Sequence, residues 1–227
     1  LYLLLNITMQ NLFVNGCSFN GPRKKWGQHV DTWVGKVVAQ HYKVPEYRYA
    51  RGGRGNRRIC DTTKLYFESN PARKQDTLAI IQWTSAGRRD YPTNDGYKPI
   101  AGISTTWRTW STHEQIKFIS QLQGFDIDQD HSLMQLNDII DLQNYFKIHG
   151  IEYVMYFGLI TQINLKYKDH QTLHNAIDWN KFYKPDTSHY EFCEQKNLQI
   201  SPQDEHPSEE GHRKWAEGLI KYIDEII

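Results

Sequence analysis

The stretch N-L-F-V-N-G-C-S-F-N-G, Asn11 to Gly21, runs three apolar residues (Leu12, Phe13, Val14) into Asn15-Gly16, then a small pair, Cys17-Ser18, and a second glycine, Gly21. A short apolar run closed by a glycine turn predicts a buried strand that ends by displaying a hydroxyl. Near the start of an α/β chain, such a turn lies at the carboxyl end of the first strand, where open parallel sheets hold their ligands. Ser18 is therefore the first candidate nucleophile.

Outward from this turn, Trp26 to Tyr42 carries Val30, Trp33, Val34, Val37 and Val38 at helical spacing. Tyr47 to Ala50 predicts a short strand, and R-G-G-R-G-N (residues 51–56) breaks it. A second helical pattern starts at Arg57, with Ile59, Thr63, Tyr66 and Phe67, and stops at Asn70-Pro71. T-L-A-I-I-Q-W, Thr77 to Trp83, predicts a fully buried strand. Strand, helix, strand, helix, strand in this order is the pattern of parallel βαβ units. Tyr91 to Gln129 is irregular and predicts an excursion over the sheet mouth, helical from Thr112. Leu133 to His149 predicts a helix capped by Gly150, and Ile151 to Leu159 a fourth strand. Thr161 to Gln203 predicts loop with a short helix at 176–183. Pro207 to Ile227 predicts a last helix, with Pro207 in its first position and Glu209 and Glu210 at the positive end of its dipole.

The expected fold is a three-layer α/β/α sandwich of flavodoxin-like type, with a central parallel sheet of four to five strands. A chain of 227 residues, 39% hydrophobic, has enough apolar residues for one such core. Residues 9–227 are expected to form a single domain, with 1–8 an extension that has no fold role. No apolar run reaches the roughly 20 residues of a membrane span, and Leu1 to Leu5 lacks a signal peptide's basic flank and cleavage site. The expected place is cytoplasmic or virion-associated, without a membrane partner. Three widely spaced cysteines, Cys17, Cys60 and Cys193, form no C-x-x-C pair and fit a reducing compartment. Asn6-Ile7-Thr8 matches a glycosylation acceptor with nothing else to suggest secretion.

Residues 1–110 carry ten more basic than acidic side chains, and residues 111–227 nine more acidic than basic. That asymmetry bears on substrate steering. Arg23, Lys24, Lys25, Arg51, Arg54, Arg88 and Arg89 fall in the expected mouth loops and point to an anionic substrate, such as an acetylated acidic glycan. R-G-G-R-G-N-R-R (residues 51–58) has the composition of a phosphate or RNA binder. Its place between a strand and a helix argues instead for an ordered active-site turn, and against a nucleic-acid partner. Asp126-x-Asp128-x-Asp130 opens like a calcium loop, but His131 takes the turn glycine's position and Asn137 that of the bidentate Glu. The ten histidines show no tight metal spacing.

Serine acyl transfer needs a hydroxyl on a turn, a base within reach, an orienter for the base and donors for the oxyanion. Ser18 follows strand one, Gly52-Gly53 strand two and Thr84-Ser85 strand three, and D-E-H-P (204–207) precedes the last helix. In a doubly wound sheet these loops share one edge. The order G-C-S-F-N-G, glycine turn, polar loop after a strand and late D-x-H-P resembles the SGNH/GDSL hydrolases. It is most similar to a divergent viral and environmental branch whose first block reads Gly-Cys-Ser-Phe. The resemblance implies an ester hydrolase without metal or organic cofactor, acting on a small-molecule or glycan ester. Ser18 would be the nucleophile and His206 the base. The amides of Ser18 and Gly53 would be oxyanion donors.

Two departures stand out. Ala86 falls where the family has an asparagine, so that donor passes to Ser85, Thr84 or Asn56. The common D-x-x-H is here D-x-H, with Gln203 at the usual position. Asp204 remains the orienter, because i and i+2 of an extended segment point the same way. Arg54, Arg88 and Trp83 are the expected substrate-binding residues. The competing readings are Ser18 as a plain turn residue, Cys17 as nucleophile and His206 as a helix cap. His212, inside the last helix, is expected to be structural. At the level of the whole protein, the rival is a catalytically weak SGNH-fold carbohydrate binder or viral structural part.

Overall fold

The computed structural model describes residues 9–25, 28–93, 96–100, 127–159, 163 and 165–227. In chain order the strands and helices are β1 (Asn11–Asn15), β2 (Arg23–Lys25), β3 (Gln28–Val30), α1 (Val34–Tyr42), β4 (Glu46–Arg48), α2 (Asn56–Ser69), β5 (Thr77–Trp83), β6 (Arg89–Thr93), β7 (Gly96–Ile100) and α3 (Ile127–His149). They continue with β8 (Tyr153–Phe157), α4 (Lys168–Ala176), α5 (His189–Gln195), β9 (Gln199–Ser201), β10 (Asp204–Pro207) and α6 (Glu209–Ile226).

Four strands form the central sheet in the order β4-β1-β5-β8, all parallel. Strand side chains alternate between faces, so each strand feeds two cores. Phe13, Ala79, Ile81, Trp83 and Met155 pack with α2 and α3 through Ile59, Phe67, Leu142 and Phe146. Leu12, Val14, Leu78, Ile80 and Val154 pack with α1 and α6 through Val34, Val38, Trp215 and Leu219. Both sheet faces are thereby covered, and the expected three-layer α/β/α architecture is the one the chain adopts. A single parallel bridge pairs Met155 of β8 with Phe182.

Several local expectations are corrected. The helix expected over 26–42 begins only at Val34: Trp33 is extended (φ −145°, ψ 163°), and Val30 sits in β3 opposite Arg23. The loop expected over 161–203 contains α4, α5 and β9. Pro207 is not in the last helix but pairs with Gln199, and Ser208 is the cap, its hydroxyl accepting from the Gly211 amide at 3.1 Å. The excursion after β5 contains an antiparallel hairpin, β6–β7. The extension 1–8, Trp107, Trp110 and the stretch expected to turn helical at Thr112 lie outside the described residues.

Candidate active site

The turn after β1 is held from beneath. Asn15 is fully buried; its Nδ2 lies 3.1 Å from the Ile59 carbonyl and 2.9 Å from both Thr62 Oγ1 and Thr63 Oγ1. Its Oδ1 accepts from the Gly16 amide at 2.9 Å and from Arg54 Nη1 at 3.0 Å. Gln82, also fully buried, accepts from the Cys17 amide at 3.2 Å and donates to the Tyr156 hydroxyl at 3.3 Å. Only glycine fits on either side of it: a Cβ on Gly16 would lie 2.7 Å from Gln82 Cβ, and one on Gly158 2.6 Å from Gln82 Cδ. Cys17 is fully buried against this strut, while Ser18 opens the 3₁₀ turn Ser18–Asn20 and is half-buried. Of the adjacent pair, the serine is the one presented.

The other loops converge as the sheet topology requires. The Arg51 amide donates to the Gly16 carbonyl at 3.1 Å, extending the β1–β4 pairing past the strand ends. This sets Gly52 against the serine: a Cβ there would lie 3.7 Å from Ser18 Cβ, whereas one on the next residue, Gly53 (φ +76°), would meet nothing within 4 Å. From the far end of the chain, β10 brings in His206. Its Nε2 lies 2.9 Å from Ser18 Oγ, and its Nδ1 lies 2.8 Å from Asp204 Oδ1. Asp204 is buried, Glu205 exposed and His206 half-buried, the alternation of an extended segment. The shortened D-x-H spacing thus turns both side chains to one side.

A residue that the sequence marked only as one of several mouth cations completes this group. Arg23, in β2, donates from Nε to Asp204 Oδ2 at 2.6 Å, and its Nη1 lies 3.1 Å from His206 Nε2. A guanidinium nitrogen only donates, so Nε2 is the ring's acceptor and Nδ1–H donates to Asp204. That is the tautomer a general base needs. Burial pushes the Asp204 carboxyl up, but the hydrogen bond from Arg23 and the field of His206 outweigh it and hold it below its usual range. Burial, joined by the Arg23 cation, pushes His206 down to about 4 despite Asp204. His206 is a neutral base at ordinary pH. Nothing short of the fold itself announces Arg23, since its partner lies 181 residues away in sequence.

Two of the expected substrate-binding residues are corrected, and one oxyanion candidate is committed elsewhere. Trp83 is fully buried, its indole donating to Met155 Sδ at 3.3 Å within the core, out of reach of a ligand. Arg54 is 5% exposed and turned inward, its Nη1 bracing Asn15 and Thr62. Asn56 is buried and clasps the Thr84 backbone, accepting from its amide at 2.9 Å and donating to its carbonyl at 3.2 Å. Ser85 is half-buried in the turn after β5, its carbonyl accepting from the Arg88 amide at 3.1 Å. Arg88 is half-buried and its charge is felt at His206; its Nη1, shielded from solvent, meets no hydrogen-bond acceptor among the described residues. His212 is buried, as expected for a structural residue.

No protein-family model and no curated protein matches the chain. Among solved structures it is similar to the psychrotrophic esterase EstA from Pseudoalteromonas sp., at TM-score 0.53 and 8% identity over 95% of this chain and 97% of that one. It is also similar to the acetyl xylan esterase Est2A from the rumen bacterium Butyrivibrio proteoclasticus, at TM-score 0.52 and 12% identity over 95% of this chain and 64% of that one. At such identities the fold is what is shared, and the chain has the three-layer fold of these esterases.

Proposed function

We propose that the protein is a serine ester hydrolase of the SGNH type, in the branch with a Gly-Cys-Ser-Phe first block, and that it works through an acyl-enzyme on Ser18. The observation that carries this reading is the unbroken line Ser18 Oγ, His206 Nε2, His206 Nδ1, Asp204 Oδ1, with links of 2.9 and 2.8 Å. Ser18 stands within hydrogen-bond reach of His206, and His206 of Asp204, the arrangement that a nucleophile, its base and an orienter would need.

In the first half-reaction Ser18 Oγ bonds to the acyl carbon while its proton passes to His206 Nε2, and the carbonyl π electrons move to oxygen. Asp204 stabilises the imidazolium without taking its proton. The amides of Ser18 and Gly53 hold the oxyanion, with Gly52 packed on the serine to keep that turn close. Ser85 is proposed to serve where the family asparagine is missing; an oxyanion donor of this kind is worth about 10²- to 10³-fold in rate. Collapse breaks the bond to the alcohol oxygen, which leaves with the proton from His206. Water then adds to the acyl carbon by the same route in reverse, giving the carboxylic acid and free Ser18. Acylated glycans are the proposed substrate class, in keeping with the acetyl xylan esterase among the similar structures. Arg88 is proposed to meet the substrate.

Turnover of p-nitrophenyl acetate by wild type, Ser18→Ala and His206→Ala tests the reading. Both variants are expected to lose at least ~10³-fold in kcat/KM, and a phosphonate ester is expected to add its mass to wild type but not to Ser18→Ala. Equal turnover by wild type and Ser18→Ala would overturn it. A carbohydrate-binding protein without turnover is the reading that would then remain.

A further inference from the structure

The resting site contains a conflict. The single lone pair of His206 Nε2 faces two donors, the Ser18 hydroxyl at 2.9 Å and Arg23 Nη1 at 3.1 Å. Only the first is useful to a general base. Arg23 has further donors, and its side chain is 22% exposed while that of Asp204 is 4% exposed. The guanidinium is therefore anchored by Nε on the buried carboxylate and open to solvent elsewhere. Nearby, Arg88 holds a shielded Nη1 that no described acceptor engages. Among the described residues, two cations, Arg23 and Arg88, bear on His206, and the carboxylate of Asp204 opposes them.

We propose that Arg23 is a specificity-determining residue that recognises a carboxylate on the substrate, releasing Nε2 of His206 to Ser18 as it does so. This rests on the ester-hydrolase reading and names the substrate class for it: an ester whose alcohol or acyl part carries an acid group near the scissile bond. A carboxylate oxygen accepts from Nη1 in a charge-assisted bond, stronger than the contact to a neutral ring nitrogen. Nε stays on Asp204, so the orienter does not move. No covalent bond changes in this step; one hydrogen bond is exchanged for another. Arg88, whose Nη1 meets no acceptor among the described residues, is the second cation available to the same anion.

The exchange also changes the base electrostatically. Burial and the Arg23 cation both disfavour the imidazolium, and a bound anion cancels part of the latter. The other charged groups bearing on His206 among the described residues are Asp204 and Arg88; His212 of α6, itself neutral, feels the charge of His206 when that ring is protonated. Glu205, its exposed neighbour on β10, is coupled to Tyr190 of α5.

The test compares kcat/KM for acetylated glucuronic acid and acetylated glucuronamide, which differ in that charge, at low salt. Wild type is expected to favour the acid by ~10-fold or more, the scale of one hydrogen bond to a charged group. The preference is expected to fall to about 1 in Arg23→Gln and to return in part in Arg23→Lys, which restores the charge but not the fork. No preference in wild type, or an undiminished one in Arg23→Gln, overturns the proposal. A second measurement does not depend on turnover. In Ser18→Ala, the His206 ring is titrated by NMR with glucuronate or glucose present; the acid is expected to raise the ring's pKa, glucose to leave it, and Arg23→Gln to abolish the rise. An unchanged pKa overturns the proposal even if esterase activity is found. Equal hydrolysis by Ser18→Ala and wild type overturns the nucleophile assignment instead, and leaves Arg23 to the titration.

Discussion

Asp204 meets two partners, Oδ1 accepting a hydrogen bond from His206 Nδ1 at 2.8 Å and Oδ2 one from Arg23 Nε at 2.6 Å. Its backbone amide is tied to Ser201 Oγ at 3.1 Å, so the carboxylate has little freedom to turn. A carboxylate suits this place because both its oxygens accept. In Asp204→Asn one end becomes an NH₂ group that must face either His206 Nδ1–H or Arg23 Nε–H, donor against donor. Either orientation disturbs the tautomer or frees Arg23. The expected result is a loss of about 10²- to 10⁴-fold in kcat with KM changed far less, read from steady-state kinetics. Gln203, exposed and at the spacing more usual for an orienter, serves as the control: Gln203→Ala is expected to match wild type. A larger loss for Gln203→Ala than for Asp204→Asn would reverse the assignment.

Among the elements, the decisive contact is β5 with the ends of β1 and β8, where Gln82 lies between Gly16 and Gly158. A methyl on Gly158 would reach 2.6 Å from Gln82 Cδ and 2.7 Å from its Cγ, and Gln82 can move away only by dropping the Cys17 amide. Gly158→Ala is therefore expected to lower urea-unfolding stability by about 1 to 3 kcal/mol, the usual cost of overpacking. It is also expected to reduce kcat, because the displaced amide belongs to the residue before Ser18. Full activity alongside lowered stability would show that the strut serves the core only. This contact is also where sequence reading runs out. β1 and β5 are legible because both faces are buried, which makes each a continuous apolar run. Ser18, Asp204 and His206 are singled out by the motif resemblance, and each lies within two residues of a glycine or proline, Gly16, Pro202 or Pro207, that punctuates the chain. Val30 is misassigned because a β-branched residue at helical spacing from Val34 fits a strand equally well. Trp33 leaves the helix because its indole donates to Glu46 Oε1 at 2.7 Å, a contact that local periodicity does not contain. The helix α5 did carry a signal, the capping box in which Ser188 accepts from the Glu191 amide and Glu191 reaches back to the Ser188 amide. Gln82, Arg23 and Arg54 owe their roles to pairings across the fold, and residue type alone does not separate the cation at the base from the one bracing the turn.

At the scale of the molecule, the line from Ser18 to His206 spans 188 residues and joins the first strand of the sheet to the last hairpin. The core beneath that junction holds two buried histidines. His189 stacks on Trp215 at 5.0 Å between ring centres and meets the His212 ring edge-on at 5.2 Å; Phe19, beside Ser18, lies 4.6 Å from His206 and 6.1 Å from His189. Burial, with its neighbour's charge second, pushes His189 well below its ordinary value, and burial pushes His212 down to about 3. Both rings are neutral in the folded protein but take a proton in the unfolded chain once pH falls below the ordinary 6.5. The stability they contribute is complete above that pH and is lost as pH falls below it; for His212 the loss runs from 6.5 towards 3, at about 1.4 kcal/mol per pH unit well inside that window, and His189 adds to it with the same sign. His206 adds to the loss with the same sign over a narrower window, from 6.5 to about 4. Urea midpoints measured from pH 7 to pH 4.5 are expected to fall steeply, and His212→Leu to remove about one ring's share of the slope whatever it does to stability at pH 7. An unchanged slope in that variant would mean that His212 accepts its proton without unfolding. Activity adds a second reading of the same pH range. On the proposed mechanism, protonation of His206 near pH 4 is expected to stop turnover reversibly in a protein that is still folded, whereas loss of the His189–His212 core is expected to take the circular dichroism signal with it. If activity and dichroism fall together well above pH 4, the buried pair, and not His206, sets the acid limit of this protein.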